Sequence, residues 1–242
     1  MWKVIHSCVQ GTSHIKTKTP CQDVVKYRLI NNGVILALSD GAGSAKHSML
    51  GAEISCDTII DCFTQDFEWY YNADSIKVQE KIIHRIRTRL GIKAKSLESL
   101  KEDFASTLLF ICIQGDQIIM GHIGDGIIGA IKENELILLS KPEKGEFANS
   151  TYFTTSRNYH AHFRLYKGKI NNILSIFLMS DGAADCLYDK KNERFAKAIL
   201  SFSSWMKHNN IDDVNKALFE NMFKLFPLYT SDDCSFIMCQ DV

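Results

Sequence analysis

Between Thr107 and Leu139 the chain carries four short apolar segments, Thr107–Ile113, Ile118–Ile123, Ile127–Ile131 and Leu136–Leu139. Only turn-forming pieces built on Gly115-Asp116, Gly124-Asp125-Gly126 and Glu133-Asn134 separate them. Crossing to a parallel neighbour takes roughly a dozen residues or more, usually a helix, so gaps this short argue for hairpins over βαβ crossovers. The segment predicts an antiparallel sheet and disfavours a doubly wound parallel one.

The flanking sequence supplies further elements. Trp2–Gln10, Asp23–Ile30, Val34–Leu38, Ile173–Met179 and Cys234–Cys239 read as strands, with Asn31-Asn32-Gly33 as a hairpin turn. Helical spacing marks His47–Trp69, then Val78, Ile82, Ile86 and Leu90 with Gly91 as a stop, then Phe195–Trp205 and Val214–Phe226. The three prolines, at 20, 142 and 227, fall at element boundaries, and no repeat or Pro/Gly/Ser-rich linker interrupts the chain. The expectation is one α+β layered domain over residues 1–242.

Charge excludes several partners. The 28 Lys+Arg balance 28 Asp+Glu, which argues against bulk electrostatic attraction to nucleic acid or to a membrane surface. No apolar run approaches the roughly 18 residues needed to span a bilayer, and the N-terminus lacks the apolar core of a secretory signal. The eight cysteines form no C-x-x-C pair, so they read as thiols in a reducing compartment, and a cytoplasmic monomer is the default. One local imbalance stands out: Lys77, Lys81, Arg85 and Arg89 make a basic stripe opposite the apolar face of their helix. It reads as a solvated face, or as a dock for an acidic or phosphorylated partner.

Aspartates recur where apolar strands end, in Gln22-Asp23, Ser39-Asp40-Gly41, Gly124-Asp125-Gly126, Ser180-Asp181-Gly182 and Ser231-Asp232-Asp233. One such residue is an ordinary turn former. Together they would crowd one edge of a sheet and repel each other unless cations neutralise them. Mg²⁺ and Mn²⁺ take such oxygen ligands, and a glycine after the acid lets its carbonyl approach as another.

These blocks resemble the metal-dependent phosphatases of the protein phosphatase 2C family. The resemblance runs from about Ser7 to Gln240. It is carried by Gly11-Thr-Ser-His14 leading to Gln22-Asp23, by Ala37-Leu-Ser-Asp-Gly-Ala-Gly-Ser44 with Gly51-Ala52, by Ser106-Thr107, and by the three later aspartate blocks. Asp-Gly-Ala-Gly-Ser-Ala-Lys46 and Gly145-Glu-Phe-Ala-Asn149 look most like its bacterial branch. It implies a four-layer αββα sandwich and a serine/threonine protein phosphatase using two, with room for a third, Mn²⁺ or Mg²⁺ ions.

By position, Asp40 would bridge two metals and Gly41 would offer its carbonyl. Asp181 and Asp232 would complete the first metal, and Asp23 would hold the water shell of the second. Asp125 with Asp181 would take the third. A metal-bridged hydroxide would then attack the phosphorus of a phosphoserine or phosphothreonine placed on a protein by a cognate kinase.

Three positions depart from the family pattern. Lys18 stands where an arginine usually grips phosphate, so His14 or Lys16 would share that task. Gln22 replaces a ligating glutamate of animal members, and Ala42 replaces a histidine. The proton donor is open between His14, His47 and a metal-bound water. His160-Ala-His162 reads as ordinary strand surface, and Glu146–Thr155 as a segment gating the substrate. Two other classes remain in view: a non-catalytic phosphoprotein-binding module on the same fold, and a hydrolase of small phosphoesters.

Overall fold

A computed structural model describes residues 1–143, 145 and 151–242. The chain runs β1 (Trp2–Val9), α1 (Thr12–Thr17), β2 (Asp23–Ile30), β3 (Gly33–Asp40), α2 (Ser48–Asn72) and α3 (Ser75–Ser96). A 3₁₀ turn at Lys101–Phe104 leads into β4 (Leu108–Gln114), β5 (Gln117–Ile123), β6 (Ile127–Lys132) and β7 (Glu135–Ser140). Then follow α4 (Tyr159–His162), β8 (Arg164–Lys169), β9 (Ile173–Met179), α5 (Asp181–Leu187) and the short pair β10 (Tyr188–Asp189) and β11 (Arg194–Phe195). The chain closes with α6 (Ala198–His208), α7 (Ile211–Leu225) and β12 (Cys234–Asp241).

Two five-stranded antiparallel sheets form, ordered β1-β12-β9-β6-β7 and β2-β3-β4-β5-β8. Side chains alternate between the two faces of a strand, and here both faces are covered. Val34, Leu36 and Leu38 of β3, with Leu109, Ile111 and Ile113 of β4, meet Ile176, Leu178, Ile237 and Cys239 of the other sheet. The intervening Ile35, Ala37, Phe110 and Cys112 pack under α2 and α3. On the far side, Phe177, Met179, Phe236 and Met238 pack under α5, α6 and α7. The result is the expected αββα order of layers. It also explains why β3, β4 and β9 read as continuous apolar runs, since neither face meets water.

Helix positions follow from these faces. In α3, Val78, Ile82, Ile86 and Leu90 are buried, and the Asp74 carboxylate caps the start by accepting from the amides of Ile76 and Lys77. Gly91 does not stop the helix: α3 continues to Ser96, with Gly91 against the Lys101 side chain, where a Cβ would lie 2.9 Å from Cε. The basic stripe is largely engaged by α2. Lys81 Nζ lies 3.5 Å from the Trp69 ring centroid, Arg85 donates to Gln65 and Arg89 pairs with Asp61 at 2.7 Å.

Other boundaries also move. α6 begins at Ala198, because Phe195 belongs to β11. His160 and His162 lie on α4, not on a strand, and His162 Nδ1 sits 2.7 Å from Glu143 Oε1.

Candidate metal centre

Backbone contacts at four strand ends bring the aspartates together. β3 ends at Asp40, whose N–H donates to Thr107 Oγ1 at 2.9 Å, while the Thr107 N–H donates back to the Asp40 carbonyl at 2.8 Å. Gly124 then approaches the same threonine. Its φ is +121°, and a Cβ there would lie 2.6 Å from Thr107 Cβ, so only glycine turns the chain at this point and delivers Asp125 beside Asp40. From the other sheet, Ser180 exchanges hydrogen bonds with Ser235, its N–H donating at 3.0 Å and its Oγ accepting at 2.9 Å. That clasp ends β9 and starts α5 at Asp181 beside the Asp232-Asp233 turn.

Asp40, Asp125 and Asp181 each present a carboxylate oxygen within 4.8 Å of the others. They line a cleft of about 450 Å³, together with Asp232, Gly41, Gln22, His14, Thr151 and Phe153. Among the described lining residues there is no lysine or arginine. Burial holds the Asp40 carboxyl well above the usual carboxylate range, and the charges of Asp23, Asp181, Asp125 and Asp232 add to the effect. The Asp181 carboxyl is raised to about 7, by burial first and then by Asp125 and Asp232.

Asp23 lies beneath this cluster, paired across the β2–β3 ladder with Asp40, and is buried. Neither of its carboxyl oxygens has a hydrogen-bond partner of good geometry. Burial raises its carboxyl to about 7, and the nearby hydroxyls of Ser235 and Ser180 offset only part of that. Gln22 adds a further orphan: its buried Oε1 has no partner, and the residue lines the cleft. Repelling carboxylates and unpartnered oxygens, with no lysine or arginine among the described lining residues, form an all-oxygen donor set. That set fits hard divalent ions. Gln22, which the sequence offered only as a replacement, is the addition to it.

The remaining sequence candidates separate cleanly. His14 lines the cleft, on the short helix α1 rather than in a loop, with Nδ1 2.8 Å from Asp233 Oδ2. Asp233, which the sequence grouped with the crowded acids, instead turns inward. Its oxygens also accept from the amides of Gly11 at 2.7 Å and Gln22 at 2.6 Å. Lys18 caps α1 in the left-handed conformation, is exposed and does not line the cleft. His47 is also off the cleft, its Nε2 on Ser99 Oγ and its ring against Phe104. Of the segment Glu146–Thr155, positions 146–150 lie outside the described residues, as do Lys144 and most of the Gly145–Asn149 block. Thr151 is anchored through Glu143: its hydroxyl donates to the Glu143 carbonyl at 3.2 Å, and the Glu143 N–H donates to the Gly124 carbonyl at 3.0 Å.

A sequence model described as protein phosphatase 2C matches residues 10–222. Over 162 residues, 65% of this chain, the sequence is 28% identical to serine/threonine-protein phosphatase 3 of Escherichia coli (strain K12). The matched stretch spans 64% of that relative's length. Among solved structures, a serine/threonine phosphatase of S. agalactiae superposes with a TM-score of 0.67 at 16% identity, covering 100% of both chains. The catalytic domain of the serine threonine protein phosphatase PstP, in complex with 2 manganese ions, superposes at 0.62 with 13% identity over 99% of this chain and 97% of that one. With its αββα layers and its ordered aspartates, the chain belongs to the protein phosphatase 2C family.

Proposed function

We propose that this chain is a metal-dependent serine/threonine protein phosphatase and that Asp40, Asp125, Asp181 and Asp232, with the Gly41 carbonyl, hold Mn²⁺ or Mg²⁺. The observation that carries the reading is the carboxylate trio within 4.8 Å in a cleft whose described walls offer no lysine or arginine. The E. coli relative's name and the manganese in PstP point the same way. When bound, a pair of such ions supplies Lewis-acid activation of water and neutralises phosphoryl oxygens.

The chain's own part is placement. Thr107 fixes both Asp40 and, through the close approach of Gly124, the turn bearing Asp125. Gly41 donates its N–H to the Gln22 carbonyl, and a Cβ there would come within 2.8 Å of the Ser48 backbone, so α2 sets the direction of that carbonyl. Asp23 sits under Asp40 as a buried acid whose charge is tolerated only when the cluster above it is neutralised. The substrate would be a phosphoprotein made by a serine/threonine kinase in the same compartment.

The test is turnover by purified protein of a phosphothreonine peptide and of p-nitrophenyl phosphate, with Mn²⁺ and with chelator, beside a panel of phosphorylated small molecules. The reading expects Mn²⁺-dependent hydrolysis of the peptide, lost in Asp40→Asn. Peptide binding that persists in chelator with no turnover would overturn it in favour of a binding module. Turnover confined to small phosphoesters would overturn the assignment of substrate class.

A further inference from the structure

We infer that His14 is the general acid of the reaction and Asp233 its positioning residue, so that the two form a dyad delivering a proton to the leaving serine or threonine oxygen. The inference rests on the phosphatase reading. It supplies the group that reading leaves open.

The geometry singles out His14. It is the only histidine lining the cleft among the described residues, with its side chain 18% exposed. Both Asp233 oxygens serve as acceptors of backbone amides, so the contact of Oδ2 with Nδ1 at 2.8 Å is assigned as donation from an Nδ1 proton. Nε2 is then the nitrogen left to address the cleft. This is the logic by which a buried aspartate fixes the tautomer and orientation of a catalytic imidazole. Asp233 is itself held, since Oδ1 accepts from the Gly11 amide and Oδ2 from the Gln22 amide.

Docking of α1 completes the arrangement. The Ser13 N–H and hydroxyl both donate to the Ser231 carbonyl, at 3.0 and 2.6 Å. A Cβ on Gly11 would come within 2.4 Å of the Asp232 backbone carbonyl carbon, so a glycine is needed where the two segments touch. The helix bearing His14 is thus bolted to the loop bearing Asp232. The proton donor and a candidate metal ligand move as one piece.

In the proposed step, a water oxygen forms the new bond to phosphorus while the bond to the ester oxygen breaks. The electron pair of the breaking bond goes to the leaving oxygen, which takes the Nε2 proton and departs as the serine or threonine hydroxyl. The attacking water releases one proton to solvent, and His14 regains one from solvent. No oxidant or further reactant is required.

A nitrophenolate leaves readily without a proton, whereas an alkoxide does not, so the test is a substrate split. Initial rates of His14→Gln and wild type are compared with Mn²⁺ on p-nitrophenyl phosphate and on a phosphothreonine peptide. General acid catalysis contributes about 10²–10⁴-fold. The peptide rate of His14→Gln should therefore fall by about that factor, while the nitrophenyl rate falls only several-fold. Asp233→Glu, which keeps the charge, should retain more peptide turnover than Asp233→Asn.

Equal losses on both substrates would overturn the inference, because they would mark His14 as a phosphate-holding or structural residue. An unchanged peptide rate would overturn it as well. Either result leaves the phosphatase reading standing, since that reading fails only if wild type shows no Mn²⁺-dependent peptide turnover.

Discussion

Replacing Asp23 by asparagine should stabilise the metal-free protein at neutral pH, an unusual direction for a change at a buried polar residue. The Asp23 carboxyl is raised from 3.8 to about 7 by burial. The unfolded chain releases this proton near 3.8, whereas the folded chain keeps it until about pH 7. Over that window the folded state binds more protons, so stability falls as pH rises. At about 1.36 kcal/mol per pH unit, the penalty above pH 7 is about 4 kcal/mol. The Asp40 and Asp181 carboxyls are raised in the same direction, so the protons are shared and this figure is a ceiling for one residue. Asparagine mimics the neutral acid at every pH. Urea unfolding in chelator should show Asp23→Asn more stable than wild type at pH 8, by up to about 4 kcal/mol, with the difference gone by pH 4. Equal or lower stability of the variant at pH 8 would refute the claim that an uncompensated buried charge sits under Asp40.

Mn²⁺ binding at pH 6 should release protons, because the Asp23 and Asp181 carboxyls, each raised to about 7, hold theirs there in the metal-free state. Calorimetry in buffers of different ionisation enthalpy reads the number, and a buffer-independent heat would contradict it. Gly124→Ala, forced to φ +121° with its Cβ 2.6 Å from Thr107 Cβ, should cost about 1–3 kcal/mol in urea unfolding and weaken Mn²⁺ binding. Arg87 donates to the carbonyls of Thr154 and Ser156, so Arg87→Met should cost about 1–3 kcal/mol and speed proteolysis near those residues.

The sequence exposed elements whose character depends on local pattern, and it concealed those created by contacts from afar. The β4–β5 and β6–β7 hairpins were legible because turn residues bracket each apolar segment, and Asp23–Ile30 matches β2 in full, but Gly124-Asp125-Gly126 does not close a hairpin: it carries the chain from β5 in one sheet to β6 in the other. β8 was missed since its sequence, Arg164–Lys169, is polar and lies at a sheet edge. α1 was missed because six residues show no period, and its place comes from hydrogen bonds to Ser231, far along the chain. Gly91 misled for a related reason. A glycine reads as a helix stop, yet here it makes room for Lys101.

The convergence of aspartates could be anticipated from their positions at strand ends. Which of them turns inward could not. Asp232 and Asp233 are adjacent and chemically alike, and only the amides of Gly11 and Gln22 decide that Asp233 faces the interior. The relation between His14 and Asp233 was hidden for the same reason, since 219 positions separate the two residues. Lys18 was placed by counting back from Asp23, but the left-handed turn that ends α1 sets it outside the cleft.

The most direct test of the central claim is a crystal structure soaked in Mn²⁺, with anomalous differences collected at the manganese edge. Two anomalous peaks in contact with Asp40, one of them also reaching Asp181, are the result expected of a metal-dependent phosphatase built on this cluster. A soaked, folded protein that hydrolyses a phosphothreonine peptide but shows no manganese among Asp40, Asp125, Asp181 and Asp232 would contradict it.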